Sequence, residues 1–320
     1  MSEDPSSRTR TFEYRGKRFT VPNLSATGFV VEPGAGSGVD HAGPSPILDD
    51  LNSVWDLARF HVPRRPIRIG VLEPGERAAF SLRGRAPRTL DLPIKFPGSA
   101  FRVPSEFEQF RPVIQRVADA EARLNAACFD EYYAYLTVDQ GLVRPGALQR
   151  EAPCHVDGFQ GARVRPKTRI NHSYVVSDAL PTVYYEQPFD FSALDEAKHN
   201  FFWEMNRQVA ATKSAFAWSP EPFELSMIDA YTVHRGDAAE QETYRTWLRI
   251  SFEVRVFDRM GNAHNPLFAY DWAMVPRDIE GLGLVPFDPT ADPSLHVFPW
   301  QRPDGTPWES RGTKTQPRLR

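Results

Sequence analysis

Residues 244–254 alternate strictly between two kinds of side chain, and this run constrains the fold more than any other part of the chain. Successive side chains of a β-strand point to opposite faces of its sheet, so the run predicts a strand with two different faces. One face carries Thr246, Leu248, Ile250, Phe252 and Val254, and the other carries Arg245, Trp247, Arg249 and Ser251. The first face suits a hydrophobic core. The second is too basic for a core and suits a pocket that binds a dianion.

Two short motifs before this strand carry metal-ligating side chains. His155 and Asp157 are two positions apart, so on an extended strand they share one face and can reach one ion together. His234 ends a second strand-like run, residues 223–233, and is the natural supplier of a third ligand. Two imidazoles and one carboxylate on one side of a metal, with the other positions open, form the facial triad of non-haem Fe(II) oxygenases.

Together with the two arginines of the alternating strand, these motifs resemble the Fe(II)/2-oxoglutarate-dependent dioxygenases. The family pattern is His-x-Asp, a distal His, and an Arg roughly one strand later, and the spacing is similar to that of the taurine dioxygenase and phytanoyl-CoA hydroxylase branches. The resemblance covers residues 132–257. It implies a mainly β fold with flanking helices and a double-stranded β-helix core, also called a jelly roll or cupin-like core.

The resemblance also implies the cofactors and their ligands. Fe(II) would be bound by His155, Asp157 and His234, with 2-oxoglutarate and O2 as co-substrates. Arg245 is the expected anchor for the distal carboxylate of 2-oxoglutarate, and Arg249 is the alternative. Related halogenases have a small residue at the position of Asp157, so a carboxylate there favours hydroxylation or another C–H oxidation such as desaturation.

A basic stretch follows the His-x-Asp motif and bears on the substrate. It contains Arg163, Arg165, Lys167 and Arg169. One interpretation is a solvated, charged edge strand that blocks unwanted pairing. The other is that Arg163 and Arg165 clamp a substrate carboxylate, because a guanidinium offers a planar bidentate fork. The second predicts a small anionic substrate, such as an amino acid or a natural-product intermediate.

Three aromatic residues near the motifs are further candidates for substrate contacts. Phe159, Tyr185 and Trp247 would form an apolar wall for a ring-containing substrate. Three other functions stay open: an Fe(II) oxidase of the same fold that uses no oxo acid, a non-catalytic β-barrel binding protein, and a zinc hydrolase. Zinc accepts two His and a carboxylate, but no general base is evident beside the motif.

Length and composition set the outer bounds. A chain of 320 residues that is 41% hydrophobic, with a net charge of −3, predicts one soluble domain over residues 1–320 and a β-helix core at about residues 130–260. Residues 1–10 and 303–320 are predicted to be flexible tails. The mixed charges argue against a nucleic-acid partner. A small-molecule substrate is the expected partner, and the oligomeric state is left open.

The predicted location is the cytoplasm. No apolar run approaches the roughly 18 to 20 residues of a membrane span, and the N-terminus lacks an apolar signal core. Only two cysteines are present, Cys128 and Cys154, which fits reduced thiols. Cys154 should face away from His155 and act as a packing residue.

Local patterns predict the remaining elements. The strongest helix runs from a capping box at Ser105 and Glu108 to Leu124, with Pro112 as a kink or the true start. Ser45 and Pro46 open an earlier helix whose apolar face extends to Ala58. Residues 192–211 form another helix. The expected strands are residues 68–72 and 78–82 around a turn, 132–143 paired with 148–159, 170–176, and 182–186. His172 and His199 are expected to be structural.

Overall fold

The computed structural model describes residues 9–14, 17–34, 39, 43–126, 129–149, 154–157, 168–195, 199, 201–257, 259, 261–270, 272 and 318–319. Its strands are β1 (Thr9–Tyr14), β2 (Lys17–Pro22), β3 (Gly28–Val31), β4 (Ile67–Val71), β5 (Thr89–Lys95), β6 (Phe101–Pro104), β7 (Tyr133–Val143), β8 (His172–Ser177), β9 (Val183–Tyr185), β10 (Ala217–Trp218), β11 (Glu224–Asp229), β12 (His234–Arg235), β13 (Thr243–Glu253), β14 (Phe268–Ala269) and β15 (Arg318–Leu319). The α-helices are α1 (Pro46–Asp50), α2 (Pro74–Ser81), α3 (Arg111–Leu124) and α4 (Phe201–Ala211), and 3-10 helices span Leu57–His61 and Ser105–Phe110.

The largest sheet is antiparallel and contains six of the fifteen strands described. Its six strands follow the order β4-β11-β8-β13-β7-β5, and a smaller three-stranded sheet has the order β10-β9-β12. The β1–β2 hairpin and the β3–β6 pair form two further small sheets. The fold is therefore mainly β with few helices, and the two larger sheets do not close into a barrel within the described residues.

Strand β13 has the two faces that its alternating sequence predicts. Leu248, Ile250 and Phe252 are fully buried in the main hydrophobic core, which also contains Val113 and Ile114 of α3. Helix α3 therefore packs in the same core as this face of the sheet. The arginines of β13 lie on the opposite face of the sheet.

Three local predictions were wrong in whole or in part. Residues 78–81 belong to α2, because the Glu76 carboxylate accepts from the backbone N–H of Glu73 at 2.6 Å and caps a helix that opens with Pro74. Ser105 begins a 3-10 helix, and α3 starts only at Arg111, so the proline in its first turn marks the true start of the helix. Of residues 148–159, those that the structure describes (148–149 and 154–157) form no ladder with β7, which pairs with β13 and, over residues 134–138, with β5.

Other predictions hold in part. Ser45 caps α1 by accepting from the backbone N–H of Ile47 at 3.3 Å, but the helix ends at Asp50, well before Ala58. Thr9 and Arg10 pair with β2 and are not part of a tail.

Within the described part of the chain, no helix is both long enough and apolar enough to cross a membrane.

Candidate metal centre

Backbone pairing brings the two proposed imidazole ligands together. His155 and His234 exchange two backbone hydrogen bonds, each 2.9 Å long, and form an isolated antiparallel bridge. Directly opposed residues of an antiparallel pair project to the same side, so their rings lie beside each other, with centroids 4.5 Å apart. Two segments that are distant in sequence thus present their histidines at one place.

Asp157 completes a compact group of three donors. One ligand atom each from His155, Asp157 and His234 lies within 4.8 Å of the other two. The alternation expected of this segment is present, because Cys154 and Val156 are buried in a separate aromatic cluster around Trp55 and Tyr231. Cys154 is therefore a packing residue, as predicted. The structure brings together all three residues that the sequence selected.

A buried hydrogen-bond chain orients the His234 ring. Its Nδ1 donates to the Thr232 carbonyl at 2.8 Å, which leaves the Nε2 lone pair of the neutral ring for a metal. The Thr232 hydroxyl donates to Asp229 Oδ1 at 2.7 Å, and Asp229 Oδ2 accepts from Arg64 Nη1 at 3.1 Å. The loop that carries His234 is thus attached to a buried ion pair at the end of β11.

The two oxygens of Asp157 have different surroundings. Arg249 Nη1 donates to Oδ1 at 2.6 Å, whereas Oδ2 is buried and has no hydrogen-bond partner among the described residues. Burial raises the pKa of Asp157, but neighbouring charge, chiefly that of the Arg249 guanidinium, outweighs burial and holds that pKa well below its ordinary value. One oxygen of the Asp157 carboxylate is therefore in an ion pair, and the other is available to bind a metal ion.

The Oδ2 atom of Asp157 indicates whether a metal ion would fit between these three side chains. A buried polar atom without a partner is costly and calls for an explanation. A cation that binds Oδ2 and the two imidazoles would satisfy it. Neutral imidazole and carboxylate donors suit first-row transition metals such as iron or zinc, whereas calcium and magnesium prefer all-oxygen sites. The residues present fit a transition-metal ion.

Asp91 is a part of the site that the sequence analysis missed. Its Oδ1 accepts from Arg249 Nη2 at 2.9 Å and from the Thr137 hydroxyl at 3.2 Å. It has a φ of 44° at a point where the register between β5 and β7 shifts, and such bulges are frequent next to active sites. An aspartate between Leu90 and Leu92 in an apolar strand is the sequence signal that could have found it.

Arg245 and Arg249 project from the same face of β13 but have different partners. Arg249 bonds to two carboxylates, those of Asp157 and Asp91. Arg245 is buried and donates from Nε to the Ala179 carbonyl at 3.0 Å and from Nη1 to Gln149 Oε1 at 2.5 Å. Arg249 is therefore held by ion pairs with two carboxylates, whereas Arg245 donates hydrogen bonds to two neutral oxygens.

Two of the aromatic residues predicted to contact the substrate, Trp247 and Tyr185, lie in different parts of the structure. Trp247 lies between the two arginines on β13, and the Arg249 guanidinium is 5.5 Å from the centre of its ring. Tyr185 packs in the aromatic cluster with Cys154. Its neighbour Tyr184 is the direct cross-strand partner of His234, with ring centroids 5.8 Å apart, and packs with Trp247. Substrate binding by Tyr185 stays a prediction, and Tyr184 is the tyrosine on the face of His234.

Three other substrate candidates, Phe159, Arg163 and Arg165, lie outside the described residues. The two histidines expected to be structural have hydrogen-bond partners. His172 Nε2 is 2.8 Å from Glu121 Oε2 in the core, and His199 Nδ1 accepts from the backbone N–H of Asp195 at 2.8 Å.

Comparison with known proteins gives only distant similarities. No family model matches the chain, and no curated protein matches it. AviO1 from Streptomyces viridochromogenes Tue57 is 15% identical, with a TM-score of 0.34 over 64% of this chain and 92% of that one. A structure described as the non-heme monooxygenase ThoJ in a nickel complex is 15% identical, with a TM-score of 0.26 over 45% of this chain and 53% of that one. Similarity at this level assigns the chain to no family.

Proposed function

We propose that the protein is a non-haem Fe(II)/2-oxoglutarate-dependent oxygenase that hydroxylates or desaturates an unactivated C–H bond of a small, carboxylate-bearing substrate. The observation that carries the proposal is that one ligand atom each of His155, Asp157 and His234 lies within 4.8 Å of the other two, while the Oδ2 atom of Asp157 is buried without a hydrogen-bond partner among the described residues. A bound Fe(II), with 2-oxoglutarate as co-substrate, would supply the activation of O2 that no protein side chain provides.

The chain's own residues prepare the site for a divalent ion. Arg249 binds one oxygen of Asp157 and helps to keep the carboxylate ionised, so the other oxygen is available as a ligand. The Thr232 carbonyl selects the ring tautomer of His234 that has a lone pair on Nε2. His234 then needs no change of tautomer to bind a metal through Nε2.

Arg245 is the better candidate for the anchor of 2-oxoglutarate. Arg249 already contacts Asp157 and Asp91, so a third carboxylate beside it would meet two negative charges. The hydrogen bonds of Arg245 to Ala179 and Gln149 are to neutral oxygens, and the nearby Asp178 carboxylate interacts with its charge. A charge-assisted bond from a mostly buried guanidinium is stronger than the same bond in water.

The sheet arrangement supports the finer description of the fold. The proposed anchor lies on the large sheet, in β13, whereas His234 lies on the small sheet and His155 is bridged to it. Two antiparallel sheets that both contribute residues to one site are what a double-stranded β-helix would provide. We include this core in the proposal.

Anaerobic titration of the Fe(II)-loaded protein with 2-oxoglutarate tests the proposal. A weak visible charge-transfer band should form, should be absent in His234→Ala, and should need a higher 2-oxoglutarate concentration in Arg245→Ala. Arg235→Ala is the matched control, because this exposed arginine next to His234 contacts the Tyr185 ring and should leave the band unchanged. Bound iron without a band would indicate an oxidase that uses no oxo acid. Failure to bind iron or any other transition metal would favour a non-catalytic binding protein.

A further inference from the structure

The side chain of Gln149 connects the proposed anchor for 2-oxoglutarate to the backbone of two strands. Its Oε1 accepts from Arg245 Nη1 at 2.5 Å. Its Nε2 donates to the backbone carbonyl of Arg245 at 3.2 Å and to that of Asp139, in β7, at 3.3 Å. Gln149 therefore contacts both the backbone and the guanidinium of Arg245.

These three contacts suit an amide and no charged group of the same shape. A guanidinium only donates, so the atom that faces it must accept, and a carbonyl only accepts, so the atom that faces it must donate. The amide of Gln149 meets both requirements. A glutamate in its place would bind Arg245, but its second oxygen would face two carbonyl oxygens.

Backbone hydrogen bonds fix the loop that carries Gln149. The Gly146 N–H donates to the Ala239 carbonyl at 2.7 Å, and the Ala239 N–H donates to the Ala147 carbonyl at 3.0 Å. Gly146 has a φ of 76°, in the left-handed region that glycine adopts without strain. Ala239 lies between β12 and β13. The loop is therefore attached to the segment that leads from His234 to the proposed anchor.

Two neutral oxygens thus orient the Arg245 guanidinium. Gln149 Oε1 accepts from Nη1, and the Ala179 carbonyl accepts from Nε at 3.0 Å. Fixing a long side chain before its ligand binds lowers the entropic cost of binding. Because neither oxygen carries a formal charge, neither neutralises the guanidinium. An oriented, buried cation of this kind suits the carboxylate of a ligand.

We infer that Gln149 is a positioning residue for the co-substrate anchor: it orients the Arg245 guanidinium and, being neutral, leaves the positive charge for the distal carboxylate of 2-oxoglutarate. The inference rests on the proposed function for the identity of the co-substrate. It assigns the preference for an oxo acid with two carboxylates to Gln149 together with Arg245. Gln149 then acts through the distal carboxylate alone, so iron binding does not depend on it.

Anaerobic titrations of the Fe(II)-loaded full-length protein with two oxo acids test the inference. 2-Oxopentanoate has the chain length and the keto-acid group of 2-oxoglutarate but no distal carboxylate, so its charge-transfer band reports the metal centre without the anchor. Gln149→Leu should bind 2-oxoglutarate about tenfold more weakly, the effect of losing one hydrogen bond to a charged group, and should bind 2-oxopentanoate like the wild type.

A second variant and a control separate the role of charge from that of shape. Gln149→Glu should weaken 2-oxoglutarate binding more than Gln149→Leu does, because its carboxylate would neutralise Arg245. A purely structural role predicts the reverse order, since glutamate has the shape of glutamine. Gln241→Glu is the matched control, because this exposed glutamine lies four residues before Arg245 and should leave both bands unchanged. Iron affinity in a chelator competition should be the same in all three variants.

Three outcomes would overturn the inference. They are equal weakening of both oxo acids in Gln149→Leu, a parallel loss of iron affinity, or wild-type affinity for 2-oxoglutarate in Gln149→Glu. The iron measurement decides the matter even where 2-oxopentanoate binds too weakly to give a band. No band with either oxo acid in the wild type would reject the proposed function and this inference together. A wild-type band whose strength and selectivity persist in both Gln149 variants would reject the inference alone.

Discussion

Replacement of Arg249 by glutamine should destabilise the metal-free protein severely. Arg249 is 8% exposed and is the shared cation of two carboxylates, at 2.6 Å from Asp157 and 2.9 Å from Asp91. Removing one partner of a buried ion pair costs about 3–5 kcal/mol, because the charge left behind is neither solvated nor paired. Two carboxylates would be left behind here, so we expect a loss at the upper end of this range.

The pH dependence of this loss has a definite sign. In the native chain the pKa of Asp157 is depressed, so its contribution to stability is present above its unfolded pKa of about 4 and is lost as the pH falls below that value. Without Arg249 the dominant remaining influence is burial, which raises the pKa. The Arg249→Gln protein should therefore lose less stability than the wild type between about pH 5 and pH 3.

Urea unfolding of chelator-treated protein measures both effects. The double variant Asp91→Asn/Arg249→Gln should recover about 1–2 kcal/mol, because it removes one of the two stranded charges. A loss of less than about 1 kcal/mol in Arg249→Gln would refute the reasoning. So would a double variant that is no more stable than the single one.

Three further predictions follow from the packing and the hydrogen bonds. Thr232→Val should weaken transition-metal affinity about tenfold in a chelator competition while Thr232→Ser keeps it, because only the valine loses the hydroxyl bond to Asp229 that supports His234. Burial lowers the pKa of Lys95 to about 8, so the free energy of unfolding should gain a contribution as the pH rises from 8 towards 10, and this gain should be absent in urea unfolding of Lys95→Met. Ile250→Ala should cost about 2–5 kcal/mol in urea unfolding, whereas Leu142→Ala, at a site 57% exposed, should change stability by less than about 0.5 kcal/mol.

Patterns that depend on neighbouring residues were predictable. The period of two in residues 244–254 separates the core face of β13 from the arginine face, and the period of 3.6 identifies α3. The spacing of His155 and Asp157 puts both on one side of an extended segment, with Cys154 and Val156 on the other. Residues 78–81 are helical where a strand was expected, because Glu73 and Glu76 form a capping box at the start of α2.

Contacts between distant segments were not predictable in the same way. No local pattern indicates that β7 pairs with β13 and β5, because pairing depends on which edges other strands leave open. The choice between Tyr184 and Tyr185 depends on the register of β9 against β12, and a shift of one residue would exchange their faces.

The sequence by itself determined which residues can act as metal ligands and which face of β13 meets the core, since residue chemistry and strand period are local properties. Only the tertiary structure decided how those ligands are held. Asp91 reaches Arg249 from a bulge in β5, and Thr232 and Asp229 support His234 through a buried loop. Burial makes each of these contacts strong. They join residues from separate strands and loops, so the sequence around either residue does not identify its partner.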